Sequence, residues 1–235
     1  MDRTRRRAAT TIHRWRLGFA FRDPGFVSGA IARPSWTYLM KAIAIDLDDT
    51  LNDFTETLQR TEFVRDESYA LSEEVFQDYL AKVRRGTTNR GDLLSTEFSY
   101  FRYKIHQRCY ELARPRADGA AFMRWLRQNQ WRIVICTYRD LRRAQDGTRA
   151  WLRDHDIPFD HLFMAGNKIV FCKTWGIEHL VDDDAFNIAY GAQYGVNVYY
   201  PAGERHSAVP ANPAPATPGA RAFQRFDEII PWIQG

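Results

Sequence analysis

A doubly wound α/β fold built on a parallel sheet is predicted by three features of the chain. Ala42 to Ile45 is a continuous apolar run ending in acids at Asp46 and Asp48, the pattern of a central parallel strand covered on both faces. From Asp118 onward, helical and strand patterns alternate, as in βαβ units. A second apolar strand ends in Asp182-Asp183-Asp184, and ligands of open α/β sheets gather beyond the carboxyl ends of such strands.

The elements follow in order. Residues 1–39 hold eight arginines and two aspartates, a net +6 that leaves −2 for the remainder. This leader holds Pro24, Gly25, Gly29 and Pro34 and little periodicity, and is expected to be largely disordered. It reads as a nucleic-acid or membrane-surface arm, as an Arg-rich transit peptide, or as upstream sequence before a start at Met40. Residues 40–51 open a Rossmann-like core that resumes at 118–235, and 52–117 form a helical cap insertion. In the insertion, Ser72 caps a helix with Leu71 and Phe76 as a hydrophobic staple, and its stripe is Val75, Phe76, Tyr79, Leu80 and Val83. Gly86 ends that helix. A second begins near Asp92 or Ser95, carries Phe98, Phe101, Ile105, Cys109 and Leu112 on one face, and stops before Pro115.

In the core, helices are expected around Asp118 to Asn129 and Leu141 to Asp154, with strands at Trp131 to Cys136, Leu162 to Ala165, His179 to Val181 and Val196 to Tyr200. Together with the first, that makes five core strands. Residues 201–219, with five prolines, read as a loop, and Ala222 to Ile233 as a final amphipathic helix.

Composition narrows the classes. At 235 residues, one domain with an insertion is the natural size. Cys109, Cys136 and Cys172 lack paired or metal-type spacing, which predicts reduced thiols in a cytoplasmic protein. No apolar run nears the roughly 18 residues that cross a bilayer, so no membrane partner is expected. Glycine-rich dinucleotide and P-loop patterns and zinc spacings are absent. Nucleic-acid binding rests on the leader alone.

Asp46 and Asp48 repel one another unless a cation or shared proton relieves them. A calcium loop would need Gly and Glu where Leu51 and Thr57 stand. With Asp182 and Asp183 at the second strand tip, the residues themselves point to a hard divalent cation and a phosphate site.

Asp-x-Asp-x-Thr after an apolar strand resembles the first motif of the haloacid dehalogenase (HAD) superfamily, of the phosphatase type. The resemblance spans about residues 40–200, and Asp182-Asp183 resembles the fourth motif. It implies that Asp46 attacks phosphorus and that Asp48 is the general acid/base. Members that cleave carbon–halogen bonds usually lack the second Asp, so Asp48 points to phosphate ester hydrolysis. The implied cofactor is Mg²⁺, held directly by Asp46 and Asp182 and through the carbonyl of Asp48. Asp183 is an outer partner or further ligand, and Asp184 a helix cap. Thr137, at the end of Trp131 to Cys136, is expected to hold a phosphoryl oxygen or simply to cap the following helix, and Arg139 to add a bidentate phosphate contact or to be solvated.

A lysine is also expected beside the nucleophile. Lys168 and Lys173 compete, and Lys168 is favoured because Lys173 lies about 7.5 Å further along the helix axis. Gly166 to Asp183 is loosely similar to the nucleotidase-like branch, which bears only weakly on substrate; a nucleoside monophosphate is the first expectation, with sugar phosphates, a nucleic-acid end or a phosphoprotein left open. Arg84, Arg85, Arg90, Arg102 and Lys104 of the insertion are placed to meet phosphate or solvent. The opposing reading is a noncatalytic member of the same fold that binds a phosphorylated ligand or a protein.

Overall fold

The computed structural model describes residues 41–68, 70–85, 96–164, 166–203 and 219–234. The leader, Gly86, Arg90, the start of the second insertion helix, Ala165 and most of the proline-rich segment lie outside them, as do the side chains of Phe98 and Arg102.

Among the described residues six strands form one parallel sheet: β1 (Ala42–Ile45), β2 (Arg132–Thr137), β3 (His161–Met164), β4 (His179–Val181), β5 (Asn197–Pro201) and β6 (Ala220–Phe223), in the order β3-β2-β1-β4-β5-β6. From β1 the chain moves outward through β2 and β3, then returns and moves the other way through β4, β5 and β6. The strand order therefore reverses between β1 and β4, and ligands of such sheets bind at that switch point.

Side-chain alternation explains why both faces are covered. Ile43 and Ile45 of β1 and Ile133 and Ile135 of β2 point to one face, where they meet Phe122, Met123 and Leu126 of α5 (Ala117–Gln128) and Trp151 and Leu152 of α6 (Leu141–Asp154). Ala44, Val134 and Cys136 point to the other, against Ile169 and Cys172 of α7 (Lys168–Trp175) and Ile188 of α8 (Ala185–Tyr190). Each large aliphatic chain so buried contributes about 1.5–3 kcal/mol, so no charged side chain could replace these cheaply. The strands therefore read as unbroken apolar runs.

All five expected strands fall within a residue of their predicted bounds, and Ala42–Ile45 and His179–Val181 match them. The final helix is corrected. Ala220–Phe223 is a sixth strand, paired in register with Val198 to Pro201, and it leads through a 3₁₀ turn (Phe226–Ile229) into a short helix at Ile230–Gln234. Phe226, Ile229 and Ile233 repeat with helical spacing and are buried, whereas the strand pairs with a partner about twenty residues away that local periodicity does not reveal. Pro231 is compatible with the first turn of the helix, where its missing N–H has no intrahelical partner.

Between β1 and α5 lie α1 (Phe54–Arg60), α2 (Glu73–Arg84), α3 (Thr96–Tyr100), a π-helical turn (Phe101–Ile105) and α4 (His106–Leu112). They share an apolar cluster of Leu58, Leu71, Phe76, Leu80, Tyr100, Phe101, Ile105 and Cys109. Ser72 caps α2 through its side chain, and Leu71 and Phe76 are buried together as the staple pattern requires. Val75 and Leu112, expected on the apolar stripes, face solvent instead. Arg84 donates to the carbonyls of Leu58 and Thr61, and Lys104 pairs with Asp66. Both cations hold the insertion together.

The two connections to the insertion are fastened side by side. Asn52 and Pro115 form an antiparallel bridge, the Asp53 amide donates to the Arg114 carbonyl, and the Arg114 amide donates to Asp53 Oδ1 at 2.6 Å. Asp53 also accepts from Thr57 and Arg60. Burial alone would raise the Asp53 carboxyl, but the Arg114 amide, Arg60 and Thr57 outweigh it and hold it below the usual carboxylate range.

Asp53→Asn is expected to lose about 1 kcal/mol in urea denaturation at pH 7. Because the folded-state value is depressed, the wild type's advantage is complete above the unfolded value near 3.9 and shrinks as pH falls through the folded one. A gap that widens on acidification would contradict this assignment.

Candidate active site at the β1–β4 switch point

Asp46 and Asp182 are set by the sheet itself. The Asp46 amide donates to the Val181 carbonyl at 2.9 Å, and the Asp182 amide to the Tyr199 carbonyl at 2.9 Å. Each continues the ladder one residue past its strand, so both side chains emerge at the same edge between β1 and β4. Lys168, the first residue of α7, comes from the adjoining loop. Its Nζ lies 2.9 Å from Asp46 Oδ2 and 2.7 Å from Asp182 Oδ2. Asn167 caps that helix through its side chain, accepting from the Val170 amide, which presents Lys168 to the edge. Lys173, one turn on, is exposed.

All three charges are nearly out of water, with Asp46 at 5%, Asp182 at 0% and Lys168 at 4% exposure. Burial would drive the lysine toward its neutral form, but Asp46 and Asp182 outweigh it and raise its affinity for its proton. Asp46 and Asp183 are displaced upward, first by burial and then by the neighbouring carboxylates. One oxygen each from Asp46, Asp182 and Asp183 lie within 4.8 Å of one another. Three carboxylates and one lysine leave negative charge uncompensated. Hard oxygen donors in this number suit a divalent cation such as Mg²⁺.

The turn after β1 is tightly built. Leu51 and Asn52 donate backbone hydrogen bonds to the Leu47 carbonyl, and Asp49 sits at a positive φ of 60°, which Asp tolerates better than most residues. Asp49 accepts from the Thr55 amide at 2.7 Å and from its hydroxyl. Thr50, which closes the Asp-x-Asp-x-Thr run, is fully buried and donates to Asp183 Oδ1 at 3.1 Å. It links the two acidic loops. Asp184 accepts from the Phe186 and Asn187 amides and caps α8, as the sequence predicts.

Asp48 is held by a different cation. Arg139 donates through Nε to Asp48 Oδ2 at 2.9 Å and through Nη2 to Oδ1 at 2.5 Å, and Asn52 Nδ2 adds a contact at 3.3 Å. Burial would raise Asp48, but the Arg139 charge and its hydrogen bonds outweigh this and lower it below the usual range. The expected phosphate contact of Arg139 is thus not how its guanidinium is engaged here. Thr137 ends β2 at 1% exposure, and among the described residues its hydroxyl has no hydrogen-bond partner; nor has the buried Oδ1 of Asp46. Such orphaned buried polar atoms call for an explanation, and a ligand at this edge supplies one.

A pocket of about 340 Å³ adjoins the lysine, lined by Tyr138, Gly166, Lys168, Asp184, Phe186 and Asn187. Tyr138 and Phe186 are 67% and 56% exposed. The Tyr138 ring rests against Gly166, where a Cβ would come within 3.1 Å of it, and the Phe186 ring lies 4.7 Å from that of Tyr190. Sequence patterns single out neither aromatic, because each is one or two residues past an expected polar position and carries no periodic signal.

Lys168 thus stands between Asp46 beyond β1 and Asp182 beyond β4, at the edge where the strand order reverses. Solved structures show the same fold. A HAD-superfamily hydrolase of subfamily IA from Geobacter sulfurreducens is 16% identical, with a TM-score of 0.51, and the match covers 83% of this chain and 100% of that one. An L-2-haloacid dehalogenase is 12% identical at a TM-score of 0.51, over 83% and 99%. A HAD hydrolase from Bacillus subtilis, solved with magnesium, is 15% identical at 0.50, over 83% and 99%. No protein-family model matches the chain, and no curated protein does.

Lys168→Met would leave two buried carboxylates without their cation. It is expected to cost about 3–5 kcal/mol in chemical denaturation at pH 7, the penalty for breaking a buried charge group. Lys173→Met, on an exposed side chain, should stay within about 0.5 kcal/mol. Equal losses in the two variants would refute the assignment of the motif lysine.

Proposed function

We propose that this protein is a Mg²⁺-dependent phosphatase that hydrolyses a small phosphate monoester through an aspartyl phosphate on Asp46. The reading is carried by the division of labour within Asp46. Lys168 holds Oδ2, while Oδ1 is buried with no hydrogen-bond partner among the described residues, the arrangement of an oriented carboxylate with one oxygen left to react. Asp48 favours phosphate over halide chemistry, since the dehalogenase type usually lacks that residue. The acid trio of Asp46, Asp182 and Asp183, with the Asp48 carbonyl, would hold Mg²⁺, which supplies charge neutralisation to the phosphoryl oxygens.

The protein's own groups divide the remaining work. Asp46 Oδ1 attacks phosphorus in line as the ester P–O bond breaks, and Lys168 offsets the developing negative charge. The Thr137 hydroxyl, unpartnered among the described residues, supports a role for that residue in holding a phosphoryl oxygen. Asp48 delivers a proton to the departing oxygen, then takes one from the water that hydrolyses the aspartyl phosphate. Arg139 keeps Asp48 ionised at rest, which suits the second half; a phosphate dianion nearby raises its proton affinity for the first. Asp46→Asn is expected to abolish Mg²⁺-dependent release of phosphate while leaving the thermal unfolding curve within a few degrees of wild type. Undiminished hydrolysis by that variant would remove the nucleophile.

Tyr138 and Phe186 support a nucleoside monophosphate as substrate, because two exposed rings beside the lysine offer stacking faces and a base stacked on one is worth about 1–3 kcal/mol. The helices between β1 and α5 serve as the cap over this edge, and three free, buried cysteines support a reducing, cytoplasmic setting. Ribose 5-phosphate and a nucleoside 5′-monophosphate share one leaving group and differ in the base. The nucleotide should show a KM at least about tenfold lower in the wild type, and Tyr138→Ala with Phe186→Ala should bring the two together. Equal KM values from the outset would argue against a stacked base.

A further inference from the structure

Arg139 joins the catalytic turn to the inserted helices. It follows β2 by two residues, is 3% exposed, and grips both oxygens of Asp48. Its Nη1 donates to Thr148 Oγ1 of α6 at 3.0 Å, and its guanidinium carbon lies 3.9 Å from the centroid of the Tyr110 ring. Tyr110 belongs to α4, the last inserted helix, is 8% exposed, and packs with Ala144 and Met164 of the core. Its hydroxyl is 3.4 Å from Nδ1 of His106 one turn earlier, and both rings contact Phe54 at the head of α1.

An arginine that serves a phosphate keeps its fork free for the ligand. Here the fork is spent on a carboxylate, a further N–H on a threonine, and one face on an aromatic ring. A forked contact fixes the plane and the direction of a carboxylate, which a single contact or a bare ammonium does not. Asp48 needs that restraint, because a proton must pass along a hydrogen-bond line to an ester oxygen, and a misplacement of about 1 Å at a reacting group costs on the order of a hundredfold.

We propose that Arg139 is a positioning residue that fixes Asp48 for proton transfer, and that Tyr110 backs the guanidinium so that the seating of α4 sets the aim of Asp48. The inference rests on the phosphatase reading above. It makes the root of the insertion part of the catalytic apparatus. Arg139→Lys keeps the charge and loses the fork, while Tyr110→Leu removes the ring and Tyr110→Phe retains it.

The test measures kcat and KM with Mg²⁺ on an ester that the wild type turns over, together with inhibition by inorganic phosphate. Arg139→Lys is expected to lower kcat about 10- to 100-fold, with KM and the phosphate inhibition constant within about twofold of wild type. Tyr110→Leu should lower kcat about threefold or more, and Tyr110→Phe should recover most of it. A tenfold weaker inhibition by phosphate, with raised KM, would mean that the guanidinium binds the phosphoryl group and would overturn the proposal. Unchanged kcat in Arg139→Lys and Tyr110→Leu would reduce the cluster to packing. If Arg139→Lys does not fold, the two Tyr110 variants decide alone. A wild type inactive on every phosphate ester removes the phosphatase reading and this one with it, whereas activity with an unaltered kcat removes only this one.

Discussion

Three charges removed from water at one strand junction govern this molecule. Asp46, Asp182 and Lys168 are each buried, and each would be costly there alone, since an isolated ion in a low-dielectric interior loses several kcal/mol of hydration even after relaxation. They are tolerable only together. Their juxtaposition requires β1 beside β4 with α7 starting at the same edge, and an apolar sandwich rigid enough to prevent water from flooding in. Replacing the triad with apolar residues would in general be no worse for stability, so its presence argues for chemistry rather than for folding.

The site keeps its two cations apart. Lys168 serves the acids of the strand tips, and Arg139 serves Asp48. A guanidinium is planar and forked, suited to a carboxylate that must keep one orientation; an ammonium is a compact point charge that can face two carboxylates at once. Thr50 completes the arrangement by linking the β1 turn to Asp183, so that neither acidic loop is free to drift from the other.

Much of this was readable in the amino-acid order because the signals are local. The apolar run into Asp46, the Asp184 cap of α8 and the span of α6 depend on neighbours a few residues away. What escaped reading depends on distance. The partner of Arg139 lies 91 positions earlier in the chain, and a guanidinium two residues past a strand looks the same whether it awaits phosphate or grips an aspartate. The sixth strand owes its state to pairing with β5, while the buried Phe226, Ile229 and Ile233 that follow it imitate a helix stripe. Val75 shows the lesser error, a periodic position that merely faces solvent.

The clasp formed by Asn52, Asp53, Arg114 and Pro115 gives the polypeptide a fixed socket. Entry and exit are already held within hydrogen-bonding reach, so lengthening whatever lies between them adds little closure entropy, about 0.6 kcal/mol for each doubling. The helical segment between them can therefore change in length at little cost to the sheet beneath.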